Sequence, residues 1–178
     1  MCLVISIIVA GCSTAPQKPE SRMVLGAEVN EAIAIFKAKD PGIERFFQKS
    51  YGYAVFPKVL KAGFWFAGAY GKGQVYEQGK MVGYCDMKSA TLGATVGGEY
   101  FREIIFFREK VNLDRFKLEE YTFSAQVTAV AANAGAALKA DYKDGMAVFI
   151  TTDKGLMADV SAGGQKFNYL SREALKDR

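Results

Sequence analysis

A chain of 178 residues that is 50% hydrophobic and 13% aromatic has the size and apolar content of one domain with a substantial core, which excludes disorder as its overall state. It contains no histidine, so Ser-His-Asp and Cys-His nucleophilic pairs and imidazole metal ligands are excluded together. A net charge of +4 with no long basic run argues against nucleic acid as a partner and suits anionic lipid headgroups.

In chain order, the first feature is the apolar run Leu3 to Ala10, broken only by Ser6. It has the length of a signal-peptide core and is too short to span a bilayer. The run ends in Val9-Ala10-Gly11-Cys12, which resembles the bacterial lipobox, so Cys12 is the expected lipidation site and residues 1–11 the expected leader. No lysine or arginine precedes Cys12, a departure from the usual signal peptide. Ser13 after the cysteine resembles lipoproteins forwarded to the outer membrane. Ser13 to Arg22 reads as a polar tether, which gives a lipidated segment over 12–24 and a single domain over 25–178. Cys85 would then be the one other thiol, and its apolar alternating surroundings predict a buried structural role.

Leu25, Val29, Ala32, Ile33 and Phe36 fall on one face of a helix ending near Asp40-Pro41. A second short helix follows from Gly42 to about Ser50, with Ile43, Phe46 and Phe47 apolar. Docking on the core is the expected role of the first helix, because Glu28 and Glu31 give it an acidic face unlike that of a lipid-dipping helix.

From Tyr51 onward, glycine recurs at short intervals. Candidate strand cores are Ala54-Val55-Phe56, Phe64-Trp65-Phe66 and Val75-Tyr76, with a hairpin turn at Glu77-Gln78-Gly79-Lys80. A further pair is expected from Ala90 to Val96 and from Tyr100 to Phe107, joined at Gly97-Gly98. Asn112 is the expected cap of a short helix carrying Leu113 and Phe116. Strands then resume at Thr122 to Ala131, Met146 to Thr151 and Leu156 to Ala162, and Ser171 to Asp177 reads as a closing polar helix. Ala132 to Ala140 fits helix or strand. The expected fold class is α+β: a strongly curved, barrel-like antiparallel sheet flanked by N-terminal helices and a short C-terminal helix.

Tests for chemistry return little. Gly71-Lys72-Gly73 lacks the Ser or Thr and the spacing of a P-loop, and Gly93 to Gly98 lacks the strand-turn-helix order of a dinucleotide site. Glu119 and Glu120 are adjacent and diverge; Asp141, Asp144 and Asp153 do not match a calcium loop. No catalytic residue, metal or cofactor is expected. The distinctive cluster is Lys58, Lys61 and Lys72 around Phe64 and Trp65, a combination suited to a membrane interface.

Ala54-Val55-Phe56-Pro57-Lys58-Val59-Leu60-Lys61-Ala62-Gly63-Phe64 resembles the opening signature of the SYLF domain family, and Tyr70-Gly71-Lys72-Gly73 continues it. Leu92 to Glu99 is similar to the family's middle strand and Lys154 to Ser161 to its closing one, so the resemblance spans about Asp40 to Tyr169. It implies an α+β module that binds phospholipids or phosphoinositides, found in bacteria on exported lipoproteins and in some eukaryotic members tied to actin. Two positions depart from the pattern: Asp159 stands where glycine is usual, and the first helix is acidic where eukaryotic members have a basic one. The expectation is a non-enzymatic lipid-binding lipoprotein, anchored to the outer membrane facing the periplasm. The alternative is a structural envelope protein using the sheet for protein contacts, with lipid only as its anchor.

Overall fold

The computed structural model describes residues 14–63, 66–92, 97–118, 122–123, 130–131, 135–152 and 165–175. Helix α1 spans Pro19–Lys39, with proline at its start, Glu20 in its first turn and Lys37 and Lys39 in its last, each placed to suit the helix dipole. Its buried residues Leu25, Val29, Ala32 and Phe36 form the stripe expected from their spacing. The stretch read as a tether is therefore helical from Pro19, and Ala15 is already buried beside the helix. Asp40 is extended and Pro41 follows it, which ends the helix.

The fully buried Asp40 carboxylate then accepts from the backbone N–H of Gly42 at 3.0 Å, Ala137 at 2.6 Å and Gly135 at 3.3 Å. Those bonds seat a single 3-10 turn, Pro41–Ile43, and helix α4, Ala136–Lys139, against the end of α1. Helix α2, Glu44–Lys49, follows the turn and buries Phe46. Helix α3 spans Lys110–Lys117. Its N-cap is Glu109 rather than Asn112: Asn112 lies one turn inside, and its Oδ1 accepts from the Glu109 N–H at 3.1 Å, a reciprocal capping box.

Among the described residues eight strands make one sheet: β1 Gly52–Gly63, β2 Phe66–Glu77, β3 Lys80–Leu92, β4 Gly97–Phe107, β5 Thr122–Phe123, β6 Val130–Ala131, β7 Met146–Thr152 and β8 Gln165–Ser171. Their order is β5-β8-β3-β2-β1-β4-β7-β6, antiparallel throughout except for β6 beside β7. The class is α+β. The β2–β3 turn falls where expected, with Gln78 at φ 49 and Gly79 at φ 76, the two positive values a primed hairpin turn requires.

Two expectations fail, and one strand was not foreseen. Gly97 and Gly98 begin β4, which pairs with β1 and β7, so the hairpin expected between Ala90–Val96 and Tyr100–Phe107 does not form. The last described strand is β8, in a stretch not read as strand, whereas Leu156 to Ala162 lies outside the described residues. The closing helix is absent over 172–175, which form turns, with Ser171 Oγ accepting from the Ala174 N–H at 3.1 Å.

Alternate residues of the strands feed two cores. The inner face, closed at one end by Leu113 and Phe116 of α3, holds Phe56, Val59, Cys85, Met87, Phe101, Phe107 and Phe167. The outer face, under α1, α2 and α4, holds Val55, Tyr84, Ile104, Phe106 and Phe149. A bulge at Pro57-Lys58 shifts the register of β1 against both neighbours. Proline has no N–H to give the ladder, and a bulge is where a strand tolerates it. Gly73 lies against this bulge: a Cβ there would sit 2.3 Å from the Val55 carbonyl oxygen, so only glycine fits.

Side chains also meet across the inner face from strands far apart in the order. Phe167 on β8 lies 5.8 Å from Phe56 on β1, and Gln165 Nε2 on β8 donates to Glu103 Oε2 on β4 at 3.3 Å. Four strand steps separate β8 from β4, about 19 Å in a flat sheet.

Candidate functional site

The bulge decides where the site lies. Phe56 and Val59 are both buried in the inner core, so the extra residue at Pro57-Lys58 puts Lys58 on the outer face, where it is exposed. There it is the direct partner of Lys72 on β2, and its Nζ lies 4.7 Å from the centre of the Tyr100 ring on β4. Two residues on, Leu60 pairs with both Tyr70 and Tyr100. Tyr70 pairs with Lys88 on β3, and Lys88 with Lys166 on β8. Register partners share a face, so Lys58, Lys72, Lys88 and Lys166 line one side of four adjacent strands, with Leu60, Tyr70 and Tyr100 among them. Leu60 is 40% and Tyr100 50% exposed, and Met23 and Val24 of α1 are also bare.

Beneath the lysines lies Asp86, wholly buried and the register partner of both Lys72 and Asn168. Its Oδ1 accepts from Asn168 Nδ2 at 2.6 Å and lies 3.9 Å from Lys88 Nζ. The carboxylate holds the β3–β8 edge together and draws Lys88 over it.

The expected cluster is brought together only in part. Lys61 has the parity of Val59 and pairs with Ala69 and Glu99, so it points to the face opposite Lys58 and Lys72. Phe64 and Trp65, between β1 and β2, and Cys12 lie outside the described residues. Lys88 and Lys166 were missed. Parity along β3 could have marked Lys88, whereas Lys166 sits on the strand that the sequence did not reveal.

Cys85 is free and fully buried on the inner side, and burial, then the Asp86 and Glu103 charges, push its thiol well above the ordinary range. It is an unreactive core group. Burial also pushes the Glu103 carboxyl up to about 8, against the opposing pull of the Gln165 hydrogen bond. Glu103 therefore keeps its proton at neutral pH. Among the described residues no group of three acidic or thiol side chains could hold a metal, and no helix is long and apolar enough to cross a membrane.

No family model matches the chain. It is similar to Beta cell expansion factor A of Aeromonas veronii, at 30% identity over 150 residues, which cover 83% of this chain. The match covers 57% of that protein, so the chain spans little more than half the length of this relative.

Proposed function

We propose that this chain is a SYLF-like, non-enzymatic lipid-binding domain of a cell-envelope lipoprotein, held by an acylated Cys12 at the outer membrane on its periplasmic side. The observation that carries the reading is the lysine row on β1, β2, β3 and β8 with tyrosine and leucine interleaved. Such a surface attracts phosphate through its cations and offers its apolar groups to the glycerol and acyl region. Each lysine near an anionic leaflet contributes about 1 kcal/mol. We also read the sheet as strongly curved and barrel-like, because the Gln165–Glu103 and Phe167–Phe56 contacts need its far strands to approach one another.

The test is co-sedimentation of the unacylated chain with vesicles of anionic phospholipid or phosphoinositide at rising salt. Binding is expected at low ionic strength and is expected to fall steeply by 0.5 M salt. Absent or salt-indifferent binding would favour the alternative, an envelope protein that meets other proteins through its sheet.

A second reading comes from the relative's name, which speaks of beta cell expansion. It is tested by adding the purified chain to beta-cell cultures and counting cells. An unchanged count removes it.

A further inference from the structure

Two depressions flank Glu28 on the outer face, and this residue lines both. The first, of about 310 Å³, has walls of opposite sign: Glu28 and Glu31 from α1, and Lys58 and Arg102, with Tyr100, from the sheet. Neither Glu28 nor Glu31 forms an ion pair or side-chain hydrogen bond with another described residue. Lys58 instead stands over Tyr100. Helix and strand thus place Glu28 and Glu31 opposite Lys58 with no salt bridge between these carboxylates and that ammonium. The second depression, of about 600 Å³, runs past Pro16, Val24 and Leu25 to Lys72 and is largely apolar. Since Lys58 and Lys72 are register partners, a charged cleft and an apolar groove adjoin across one lysine pair.

We propose that this pair of depressions takes one zwitterionic phospholipid whose headgroup carries a primary ammonium and a phosphodiester. The ammonium lies against Glu28 and Glu31, the phosphodiester against Lys58 and Arg102, and the first acyl methylenes along Val24 and Leu25. A purely anionic headgroup would set its charge beside two carboxylates. A quaternary ammonium has no N–H to donate to them. The site therefore selects the primary ammonium, while Lys88 and Lys166 supply attraction without selection. The inference rests on the lipid-binding reading and deepens it by naming the headgroup.

The experiment compares binding of the full chain to two vesicle types with the same fraction of phosphatidylglycerol and the same acyl chains. The remainder is phosphatidylethanolamine in one and phosphatidylcholine in the other. Binding about fivefold tighter to the ethanolamine vesicles is expected. Glu28→Gln with Glu31→Gln should abolish that preference while leaving binding to phosphatidylglycerol vesicles intact or stronger. Equal binding of the unaltered chain to both vesicle types, or the same preference in the double variant, overturns the proposal.

A solution arm titrates glycerophosphoethanolamine and follows the backbone amides of residues 28, 31 and 58 by NMR. Shifts there with no vesicle preference would assign the cleft to a free zwitterion and overturn the lipid assignment. Failure of the chain to bind any anionic vesicle would sink the lipid-binding reading itself, and the solution arm would still decide the cleft.

Discussion

Alternate residues of the same strands build the inner and outer faces of the sheet, yet the two faces meet water differently. Inside, Phe56, Phe107, Phe116 and Phe167 close on one another, and the charge-capable Glu103 is buried among them with one amide partner. Outside, α1 covers the strands near Val55, Tyr84 and Phe106 but leaves Lys58, Leu60, Lys88 and Tyr100 bare. Closed aromatic packing sets the stability of the fold. The uncovered half of the outer face can change charge at little structural cost, which is the property expected of a binding surface.

The sharpest way to break this contrast is to open the inner face. The Phe116 ring lies 4.9 Å from Phe107 and 5.1 Å from Phe167 and is fully buried, so it ties α3 to strands β4 and β8. Phe116→Ala is expected to cost about 4 kcal/mol in urea unfolding. A loss below about 1 kcal/mol would show that the inner face is not closely packed.

Glu103 comes next, through pH. The folded chain holds the carboxyl proton up to about 8, whereas the ordinary value is 4.5. The stability tied to this proton is therefore complete below the ordinary value and is lost as pH rises through about 8. The expected loss is on the order of 3 kcal/mol, since water reaching the carboxylate relieves part of the 1.36 kcal/mol per unit. Glu103→Gln should flatten this slope and exceed the parent chain in melting temperature at pH 9. Parallel pH profiles for the two proteins would contradict the buried acid.

A smaller effect is expected where α3 meets the β2–β3 hairpin. Lys117 Nζ lies 2.5 Å from Glu77 Oε2, which lowers the Glu77 carboxyl below its usual range, and Tyr51 Oη donates to the same carboxylate at 2.7 Å. Lys117→Ala is expected to cost about 1 kcal/mol at neutral pH. With Glu77 depressed, that difference should vanish as acid protonates it, and a difference that persists at pH 2 would exclude the ion pair as its source.

How much of this was legible depended on whether a signal was local. Leu25, Val29, Ala32 and Phe36 declare their helix by spacing, and Gln78-Gly79 declare their turn by chemistry, because neither needs a distant partner. Strand pairing does. Nothing in Gly97-Gly98 states that β4 crosses to β1 instead of folding back on β3, and glycine inside a strand looks like glycine in a turn. Strand β8 escaped notice because its apolar residues, Phe167, Tyr169 and Leu170, keep no sustained two-residue alternation over its seven positions. Lys61 was grouped with Lys58 by proximity in sequence, although three steps along an extended strand set the two side chains on opposite faces. The basic face was thus half visible: two of its four lysines were named, and the other two needed the register.

The central claim is tested most directly by moving charge at constant total. One variant carries Lys58→Gln, Lys72→Gln, Lys88→Gln and Lys166→Gln. A control carries Lys49→Gln, Lys80→Gln, Lys110→Gln and Lys139→Gln, away from the row. Binding of both to anionic vesicles is measured at low salt, with the melting temperature as a check on folding. The first variant is expected to lose at least 100-fold in affinity, from about 1 kcal/mol per lysine, and the control less than threefold. Equal losses in the two variants would show that net charge and not this face governs the attraction, and the account would fail.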